Sequence, residues 1–127
     1  MRDASIERFF ETYAELYMAS DVDAVAAMYE APFLAVRESR TIHLGDREAV
    51  RQHLMGLMEA YRNAGAKRAT IADLRVTQLD SASVIATVRW NALAEDGALL
   101  RDFTTSYQML RQKSDGWRII SYTYHHD

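Results

Sequence analysis

The sequence contains no cysteine, which excludes disulfides, thiolate metal ligands and a cysteine nucleophile. It also has no uninterrupted apolar run long enough to cross a bilayer. Residues 1–5 lead directly into an amphipathic pattern and provide no apolar core for a signal peptide. We therefore expect a protein of the cytoplasm that has no membrane partner.

Clusters of basic residues are missing too, since the longest one is Lys67-Arg68. The 15 Lys and Arg residues are outnumbered by 18 Asp and Glu residues, which gives a net charge of -3. A protein that binds a phosphate backbone needs a concentrated positive surface, so nucleic acid is not expected as a partner. The glycine-rich phosphate loop, the Gly-x-Ser-x-Gly elbow and the His-Glu-x-x-His pattern are also absent from the sequence.

What the chain does contain is the composition of an ordinary globular domain. Hydrophobic residues make up 49% and charged residues 26% of its 127 residues, unlike a disordered or membrane chain. No repeat, linker or block of like charge divides the sequence. We therefore expect a single domain over residues 1–127, with one hydrophobic core.

The N-terminal part of the chain carries two helical patterns. Apolar residues recur at three- and four-residue spacing over residues 6–17, which predicts a first helix. Asp21 is suited to cap a second, shorter helix, whose inner face is predicted to close at Tyr29. Pro32 then stops this helix, because the residue before a proline is forced out of helical geometry.

The pattern then changes to strands, with one long helix between them. Residues 33–37 and 41–44 are predicted as two short strands of a hairpin. After Asp46, an apolar stripe with His53 beside it predicts a helix that ends near Gly65. The remaining sequence is rich in β-branched and aromatic residues and predicts an antiparallel meander of four strands, over residues 69–79, 83–94, 99–112 and 117–125.

Alternation along the strands of this meander shows which residues share a face. In the strand from Ser83, the alternate residues from Val84 to Ala92 are predicted to point inward. In the next strand, neither the face with Tyr107 nor the face with Gln108 is plainly apolar. The last turn is predicted at Ser114-Asp115-Gly116. More aromatic and polar residues therefore point inward than a dry core requires, which favours a cavity.

Several short features in this order carry a family resemblance: Tyr13 eight residues ahead of Asp21-Val22-Asp23, Tyr29 closing the helix that starts there, Gly-Asp-Arg-Glu-Ala at 45–49, and Asp-Gly-Trp-Arg-Ile at 115–119. The chain resembles the nuclear transport factor 2-like (NTF2-like) superfamily, and within it SnoaL-like polyketide cyclases and ketosteroid isomerase-like proteins. The resemblance implies a cone-shaped α+β fold, in which three N-terminal helices pack on a curved, mostly antiparallel sheet around a cavity. It also implies a homodimer joined through the outer faces of the sheets.

The resemblance to ketosteroid isomerases also implies roles for three positions. Tyr13 matches the tyrosine that holds a substrate oxygen. The position of the catalytic base falls on Arg37, and Glu38 replaces that base only if a bulge realigns the strand. The position of the protonated acid falls between Thr105 and Gln108, where the sequence has no carboxylate. We therefore expect no steroid isomerase activity.

Six residues are the candidates for a site: Tyr13 and His53 for catalysis, and Tyr17, Arg37, Trp90 and Tyr107 for ligand binding. Arg37 offers a planar guanidinium to an acidic ligand, unless it is a solvated side chain on an edge strand. His53 can act as a general base near neutral pH, although a hydrogen-bonded core histidine gives the same pattern. The aromatic candidates either line a pocket or belong to the core. Asn91 and Gln108 either orient a ligand by hydrogen bonds or are ordinary strand residues.

The segment His125-His126-Asp127 is the one apparent metal-binding pattern in the sequence. Adjacent histidines on a strand face opposite ways, and chain ends are usually frayed. No metal is therefore assigned to this segment, and no cofactor is expected.

These observations indicate a pocket protein for an apolar or mildly acidic small molecule. Two alternatives stay open. One is a cofactor-free acid–base enzyme of isomerase, cyclase or hydratase type, in which His53 carries the proton and Tyr13 holds an oxygen. The other is a dimeric interaction module whose cavity is nearly filled by side chains and which acts through the surface of its sheet. A cavity of roughly several hundred Å³ favours a ligand or an enzyme, whereas a filled interior beside a broad apolar outer patch favours the module.

Overall fold

A computed structural model describes residues 4–113 and 116–125 of the chain. Within these residues it has three helices and six strands, in the order α1 (Ala4–Met18), α2 (Val22–Ala26), β1 (Tyr29–Arg37), β2 (Arg40–Leu44), α3 (Arg47–Asn63), β3 (Arg68–Asp80), β4 (Ser83–Leu93), β5 (Leu99–Gln112) and β6 (Gly116–Tyr124). The predicted α+β class is confirmed, and so is the place of the third helix after a hairpin. None of the helices in the described part is both long and apolar enough to cross a membrane.

The six strands form one sheet in the order β2-β1-β6-β5-β4-β3. Every neighbouring pair is antiparallel except β1 and β6, which run parallel. Bulges increase the bend and twist of a sheet, and register shifts occur in β3, at the end of β4 and between β5 and β6. The sheet therefore curves around the helices, as the fold prediction requires.

The buried face of the sheet is the one that alternation predicted. Along β4, all five alternate residues from Val84 to Ala92 are buried, and Trp90 lies opposite Phe103 of β5. The inward face of β5 is therefore the one that contains Thr105 and Tyr107. Ile6 and Phe10 of α1 are fully buried against this face and complete the core.

The prediction that the second helix closes at Tyr29 and is stopped by Pro32 was wrong, because both residues lie in β1. Helix α2 ends at Ala26, and the carbonyl of Met28 accepts a hydrogen bond from the Ile119 amide at 2.8 Å. This bond starts the pairing of β1 with β6, so the chain is already extended at Tyr29. Pairing with a segment far away in the sequence overrides the local helical pattern. As a result the Tyr29 side chain is buried in the core.

The hairpin between β1 and β2 is confirmed, and its turn decides the position of Glu38. Glu38 and Ser39 both have positive φ angles, 51° and 63°, as in the two-residue turns that match the twist of a hairpin. Glu38 is exposed in this turn, and β1 ends at Arg37. No bulge therefore brings Glu38 to the position of a catalytic base.

The outward face of β4 and β5 is occupied by polar pairs. Arg89 binds both carboxylate oxygens of Asp102, with an Nε–Oδ1 distance of 2.9 Å. Ser121 Oγ donates to the side-chain oxygen of Gln108 at 3.4 Å. Asn91 lies on this same face, because it alternates with the buried residues of β4. The interpretation that Asn91 and Gln108 orient a ligand in the interior was therefore wrong.

The predicted turn residues Ser114 and Asp115 lie outside the described residues, and so do His126 and Asp127. His125 is described, and its Nε2 atom lies 2.8 Å from Ser106 Oγ on the outward face. Over residues 4–113 and 116–125, no group of three His, Cys, Asp or Glu side chains is arranged to hold a metal ion.

Candidate functional site

The interior contains a cavity of about 60 Å³ that lies between the helices and the inward face of the sheet and opens to solvent at one end. All seven tyrosines of the chain line it. The lining consists of these tyrosines and a few other side chains: Tyr13, Tyr17, Tyr29, Tyr61, Tyr107, Tyr122, Tyr124, Ala14, Met18, Arg37, Leu57, Ala69, Trp90, Ala92, Phe103 and Thr105. Aromatic rings therefore form most of the wall, and hydroxyl groups supply much of its polar surface.

The cavity has a closed end, formed by Tyr13, Tyr29, Trp90 and Tyr107. The hydroxyls of Tyr13 and Tyr29 are 2.7 Å apart, and Trp90 Nε1 donates to the Tyr107 hydroxyl at 3.0 Å. All four side chains are buried. Burial raises the pKa of Tyr13 and of Tyr29 well above its ordinary value, and it also raises that of Tyr107. This end is therefore uncharged at physiological pH.

Local structure explains how these four residues meet. Tyr13 lies on the apolar stripe of α1, and its ring packs on Trp90 with centroids 6.1 Å apart. Tyr107 enters from β5, on the same face as Phe103, which is the pairing partner of Trp90. Tyr29 is brought in only because β1 begins early and pairs with β6. One helix and three strands therefore build the closed end.

The other end of the cavity is its mouth, formed by half-buried side chains: Arg37, Tyr61, Phe103 and Tyr124. Arg37 is the last residue of β1, and its guanidinium carbon lies 4.4 Å from the centre of the Tyr124 ring. Arg37 Nη1 also donates to the Tyr122 hydroxyl at 3.4 Å. Of the described residues that line the cavity, Arg37 alone is charged. The mouth is therefore cationic.

The alternative interpretation of Arg37, a solvated side chain on an edge strand, was wrong. β1 lies between β2 and β6, so it is an interior strand of the sheet. The guanidinium is held against aromatic rings, an arrangement that favours arginine over lysine because a planar guanidinium can stack. The position expected for a catalytic base thus carries a cation that faces the cavity.

His53 lies behind the wall of the cavity rather than in it. Asp46 caps α3 by accepting a hydrogen bond from the Ala49 amide at 2.8 Å, and His53 lies about two turns after this cap. The Nε2 atom of His53 is 2.6 Å from the Tyr122 hydroxyl. Burial and the nearby Arg37 lower the pKa of His53 below its ordinary value. His53 is therefore neutral at physiological pH and contacts the cavity through Tyr122.

The structure brings together five of the six candidate residues in the lining of one cavity, and it places the sixth, His53, against the lining residue Tyr122. The roles assigned to these residues stay predictions. The candidates omitted several tyrosines that line the same cavity: Tyr29, Tyr61, Tyr122 and Tyr124. Tyr122 and Tyr124 are two residues apart on one strand, so the alternation of β6 carried a signal that they share a face.

The three positions of the ketosteroid isomerase resemblance can now be compared with the cavity. Tyr13 lines it, but its hydroxyl is already hydrogen bonded to Tyr29. Arg37 takes the place of the base, and buried Thr105 lies in the segment where the acid was expected. Among the described residues, no carboxylate lines the cavity. The absence of steroid isomerase activity stays a prediction, and the observed lining is consistent with it.

The cavity is smaller than the volume of roughly several hundred Å³ that is expected of a ligand-binding protein. About 60 Å³ accommodates a few water-sized groups, whereas pockets for organic ligands usually measure roughly 300–1,000 Å³. A molecule the size of benzene occupies a cavity of about 150 Å³. A guest of that size therefore requires side chains at the mouth to move outward.

A curved sheet wrapped over three helices, with a cavity between them, defines the chain as an NTF2-like protein. It belongs to the NTF2-like protein family DUF6841, whose model matches residues 2–127. The superfamily to which the sequence resemblance pointed is therefore confirmed.

Solved structures of three bacterial proteins are similar to this fold. Aln2 from a Streptomyces species has a TM-score of 0.74 at 17% identity, over 97% of this chain and 88% of that one. An NTF2-like protein with a cystatin-like fold from Novosphingobium aromaticivorans has a TM-score of 0.73 at 14% identity, over 94% and 78%. An NTF2-like protein of unknown function from Shewanella oneidensis has a TM-score of 0.71 at 12% identity, over 94% and 95%.

These similarities establish the fold but not the function, because the sequence identities are only 17%, 14% and 12%. A comparison with curated protein sequences gave no match. The NTF2-like fold is shared by proteins that bind ligands and by enzymes. The function must therefore be argued from the cavity itself.

Proposed function

We propose that the protein binds a small aromatic carboxylic acid in its tyrosine-lined cavity. The observation that carries the proposal is the convergence of all seven tyrosines on one cavity whose single charged lining residue, among those described, is Arg37. Aromatic walls favour an aromatic guest through stacking and edge-to-face contacts. A guanidinium at the mouth favours a carboxylate, because its planar fork matches the two oxygens.

The surroundings of Arg37 support an anionic guest in particular. The only hydrogen-bond partner found for its guanidinium among the described residues is the Tyr122 hydroxyl, at the long distance of 3.4 Å. No carboxylate neutralises Arg37 in the described part of the chain. The arginines that do contact a carboxylate within 4.0 Å there are Arg51, Arg75, Arg89 and Arg118. A half-buried cation without an anionic partner is suited to receive one from a ligand.

The small volume of the cavity sets a condition on this binding. The four side chains of the mouth must move outward to admit a benzene-sized ring, and all four are half-buried rather than fully packed. Side-chain rearrangement of this kind is common when small molecules and partners bind. The guest is accordingly expected to be small, with one ring and one acidic group.

Isothermal titration calorimetry with a matched pair of compounds tests the proposal. Phenylacetate carries the charge and phenylacetamide does not, while their sizes are nearly the same. We expect phenylacetate to bind the wild-type protein more tightly by about 1.5–3 kcal/mol, the range for a charge-assisted hydrogen bond, or roughly ten- to hundredfold. Arg37→Gln should abolish that preference.

The control is Arg75→Gln, which removes an equal charge from an exposed position on β3 that pairs only with Asp73 in the described structure. This variant should keep the preference for phenylacetate, because an exposed ion pair contributes little. The proposal fails if acid and amide bind the wild-type protein equally, or if neither compound binds.

The interaction module is less well supported than a binding pocket. The cavity of about 60 Å³ leaves the interior nearly filled, as the module requires, but the outward face of β4 and β5 carries the Arg89–Asp102 and Gln108–Ser121 pairs rather than a broad apolar surface. A homodimer through this face is still proposed, because polar interfaces are compatible with stable association. Native mass spectrometry of the purified protein measures the number of subunits directly.

A further inference from the structure

A second arginine lies at the mouth of the cavity, just outside its lining. Arg101 is on β5, where alternation puts it on the same inward face as Phe103 and Thr105. Its pairing partner on β4 is Ala92, which is buried and lines the cavity. Arg101 itself is exposed. The inward face of β5 therefore ends at the mouth in a cation.

The side chain of Arg101 is held over the aromatic rings of the mouth. Its guanidinium carbon lies 5.6 Å from the centre of the Tyr61 ring, 5.4 Å from that of Phe103 and 5.8 Å from that of Tyr124. Arg101 Nη2 also donates a hydrogen bond to the Tyr124 hydroxyl. These contacts include all three aromatic residues of the mouth, so the guanidinium stays at the opening although it is exposed to solvent.

Arg37 and Arg101 reach the same ring from two different strands. Tyr124 is on β6, which lies between β1, the strand of Arg37, and β5, the strand of Arg101. The guanidinium carbon of Arg37 is 4.4 Å from the centre of the Tyr124 ring, and that of Arg101 is 5.8 Å from it. The two guanidinium carbons therefore cannot be further apart than the sum of these distances. One small molecule can contact both of them.

Neither guanidinium has an anionic partner in the described part of the chain, where no carboxylate lies within 4.0 Å of Arg37 or Arg101. The acid next to Arg101 on β5, Asp102, is on the opposite face and binds Arg89. Burial raises the pKa of Tyr61, and the charges of Arg101 and Arg37 both oppose this rise. The two cations therefore act on the same mouth residue, and a ligand with two negative charges relieves their mutual repulsion.

We propose that Arg101 is a second anion-binding residue of the site and that the preferred guest carries two acidic groups at the same end of its ring. This proposal rests on the binding of aromatic acids proposed above. The cavity accounts for one ring and for one acidic group at Arg37, and Arg101 provides a place for the second acidic group outside the cavity. Both groups must lie at the mouth, because the closed end is buried and its hydrogen-bonding groups pair with each other.

The present contacts of Arg101 are ones that a ligand can replace. A carboxylate offers two charged oxygens to the planar guanidinium, whereas the Tyr124 hydroxyl offers one neutral oxygen. Arg101 can therefore turn from Tyr124 to the second acidic group of the guest. This movement also uncovers the rings of the mouth, which must move outward to admit a benzene-sized ring. Recognition of the second charge and opening of the mouth are thus the same event.

Calorimetry with phenylsuccinate and its monoamide tests this proposal. Phenylsuccinate is phenylacetate with a carboxymethyl group on the carbon that carries the first acid. In the monoamide, the carboxyl of this added group is an uncharged amide of nearly the same size. We expect the wild-type protein to bind phenylsuccinate about three- to tenfold more tightly than the monoamide, because Arg101 is exposed and its ion pair is screened by water. Arg101→Gln should remove this preference, and Arg101→Lys should keep part of it because the charge remains.

Nitrogen-15 NMR of the arginine side chains gives a second measurement on the same complexes. Each Nε resonance is assigned by its loss in Arg37→Gln or Arg101→Gln. Phenylsuccinate should move the resonances of both arginines, and the monoamide should move that of Arg37 far more than that of Arg101. Equal responses of Arg101 to the two compounds would overturn the assignment of the second acidic group.

The matched control is Arg111→Gln. Arg111 lies near the opposite end of β5, and its guanidinium carbon is 4.7 Å from the centre of the Trp117 ring, away from the cavity lining. This variant should keep the full preference for phenylsuccinate. Equal binding of phenylsuccinate and the monoamide to the wild-type protein overturns the role of Arg101, and so does an equal loss of affinity for both compounds in Arg101→Gln. In either case the preference for phenylacetate over phenylacetamide still stands, whereas failure of all these acids to bind overturns the proposed function as well.

Discussion

The closed end and the mouth of the cavity are built from the same residue type and yet differ in charge and burial. At the closed end, the hydroxyls of Tyr13 and Tyr29 satisfy each other, and Trp90 satisfies Tyr107. At the mouth, tyrosine rings surround Arg37, and next to it the hydroxyl of the buried Tyr122 contacts both Arg37 and His53. A tyrosine therefore stabilises the fold where its hydroxyl pairs with another neutral group. Where its partners are ionisable, the hydroxyl can also take part in chemistry.

The closed end should dominate stability, and Trp90→Ala is the strongest test of that half of the comparison. Trp90 is buried and contacts the rings of Phe10 and Tyr13, so its truncation leaves a cavity. We expect the free energy of unfolding in urea to fall by about 3–5 kcal/mol. Trp90→Phe keeps most of the ring and should cost clearly less. Equal losses in the two variants would contradict a packing role for Trp90.

High pH should destabilise the fold through the buried tyrosines of the closed end. The pKa values of Tyr13, Tyr29 and Tyr107 are raised by burial, so the unfolded chain releases these protons at a lower pH than the folded one. Their contribution to stability is complete below the unfolded pKa of about 10 and decreases as the pH rises above it. The loss is about 1.4 kcal/mol per pH unit for each tyrosine. Urea unfolding from pH 9 to 11 measures this loss of stability, and phenolate absorbance measures the ionisation of the tyrosines. Ionisation of all seven tyrosines near the ordinary pKa of about 10 would contradict a buried closed end.

The pair of hydroxyls at the closed end should show strong coupling. Tyr13→Phe leaves the Tyr29 hydroxyl buried without its partner, which should cost about 1–2 kcal/mol of unfolding free energy. Adding Tyr29→Phe removes the orphaned group, so the double variant should lose less than the sum of the single ones. Additive losses in chemical denaturation would show that the two hydroxyls do not interact.

Acid should act on His53, behind the wall of the cavity, with the smallest effect of the four. The pKa of His53 is lowered by burial and by Arg37, so the unfolded chain takes up this proton at a higher pH than the folded one. This contribution is present above the unfolded pKa of about 6.5 and is lost as the pH falls through the folded pKa. Partial exposure of the ring weakens it further. His53→Gln should flatten the stability profile between pH 7 and 5, and an unchanged profile would contradict the assignment.

The parts of this architecture that depend on local periodicity could be predicted from the sequence. The inward face of β4, including Trp90, follows from strict alternation of apolar residues. The stripe of α1 that carries Tyr13 and Tyr17 follows from helical spacing. Arg37 was identified because it stands at a functional position of the family pattern, although its orientation could not be known from one strand alone.

The parts that depend on pairing between distant segments could not be predicted in the same way. The spacing of apolar residues before Tyr29 predicted a helix there. Only the parallel pairing of β1 with β6 makes Tyr29 a strand residue. The inward face of β5 was ambiguous because both faces carry polar residues, and its register with β4 resolves it. Tyr122 reaches His53 through the same long-range topology. The chemistry of the mouth is therefore a property of the assembled sheet.

The claim that seven tyrosines surround one guest can be tested in a single NMR experiment on protein labelled with carbon-13 in its tyrosine rings. Phenylacetate should shift resonances of tyrosines at both the mouth and the closed end, and phenylacetamide or the Arg37→Gln variant should leave them nearly unchanged. Shifts confined to one exposed tyrosine, or none with phenylacetate at millimolar concentration, would contradict the account.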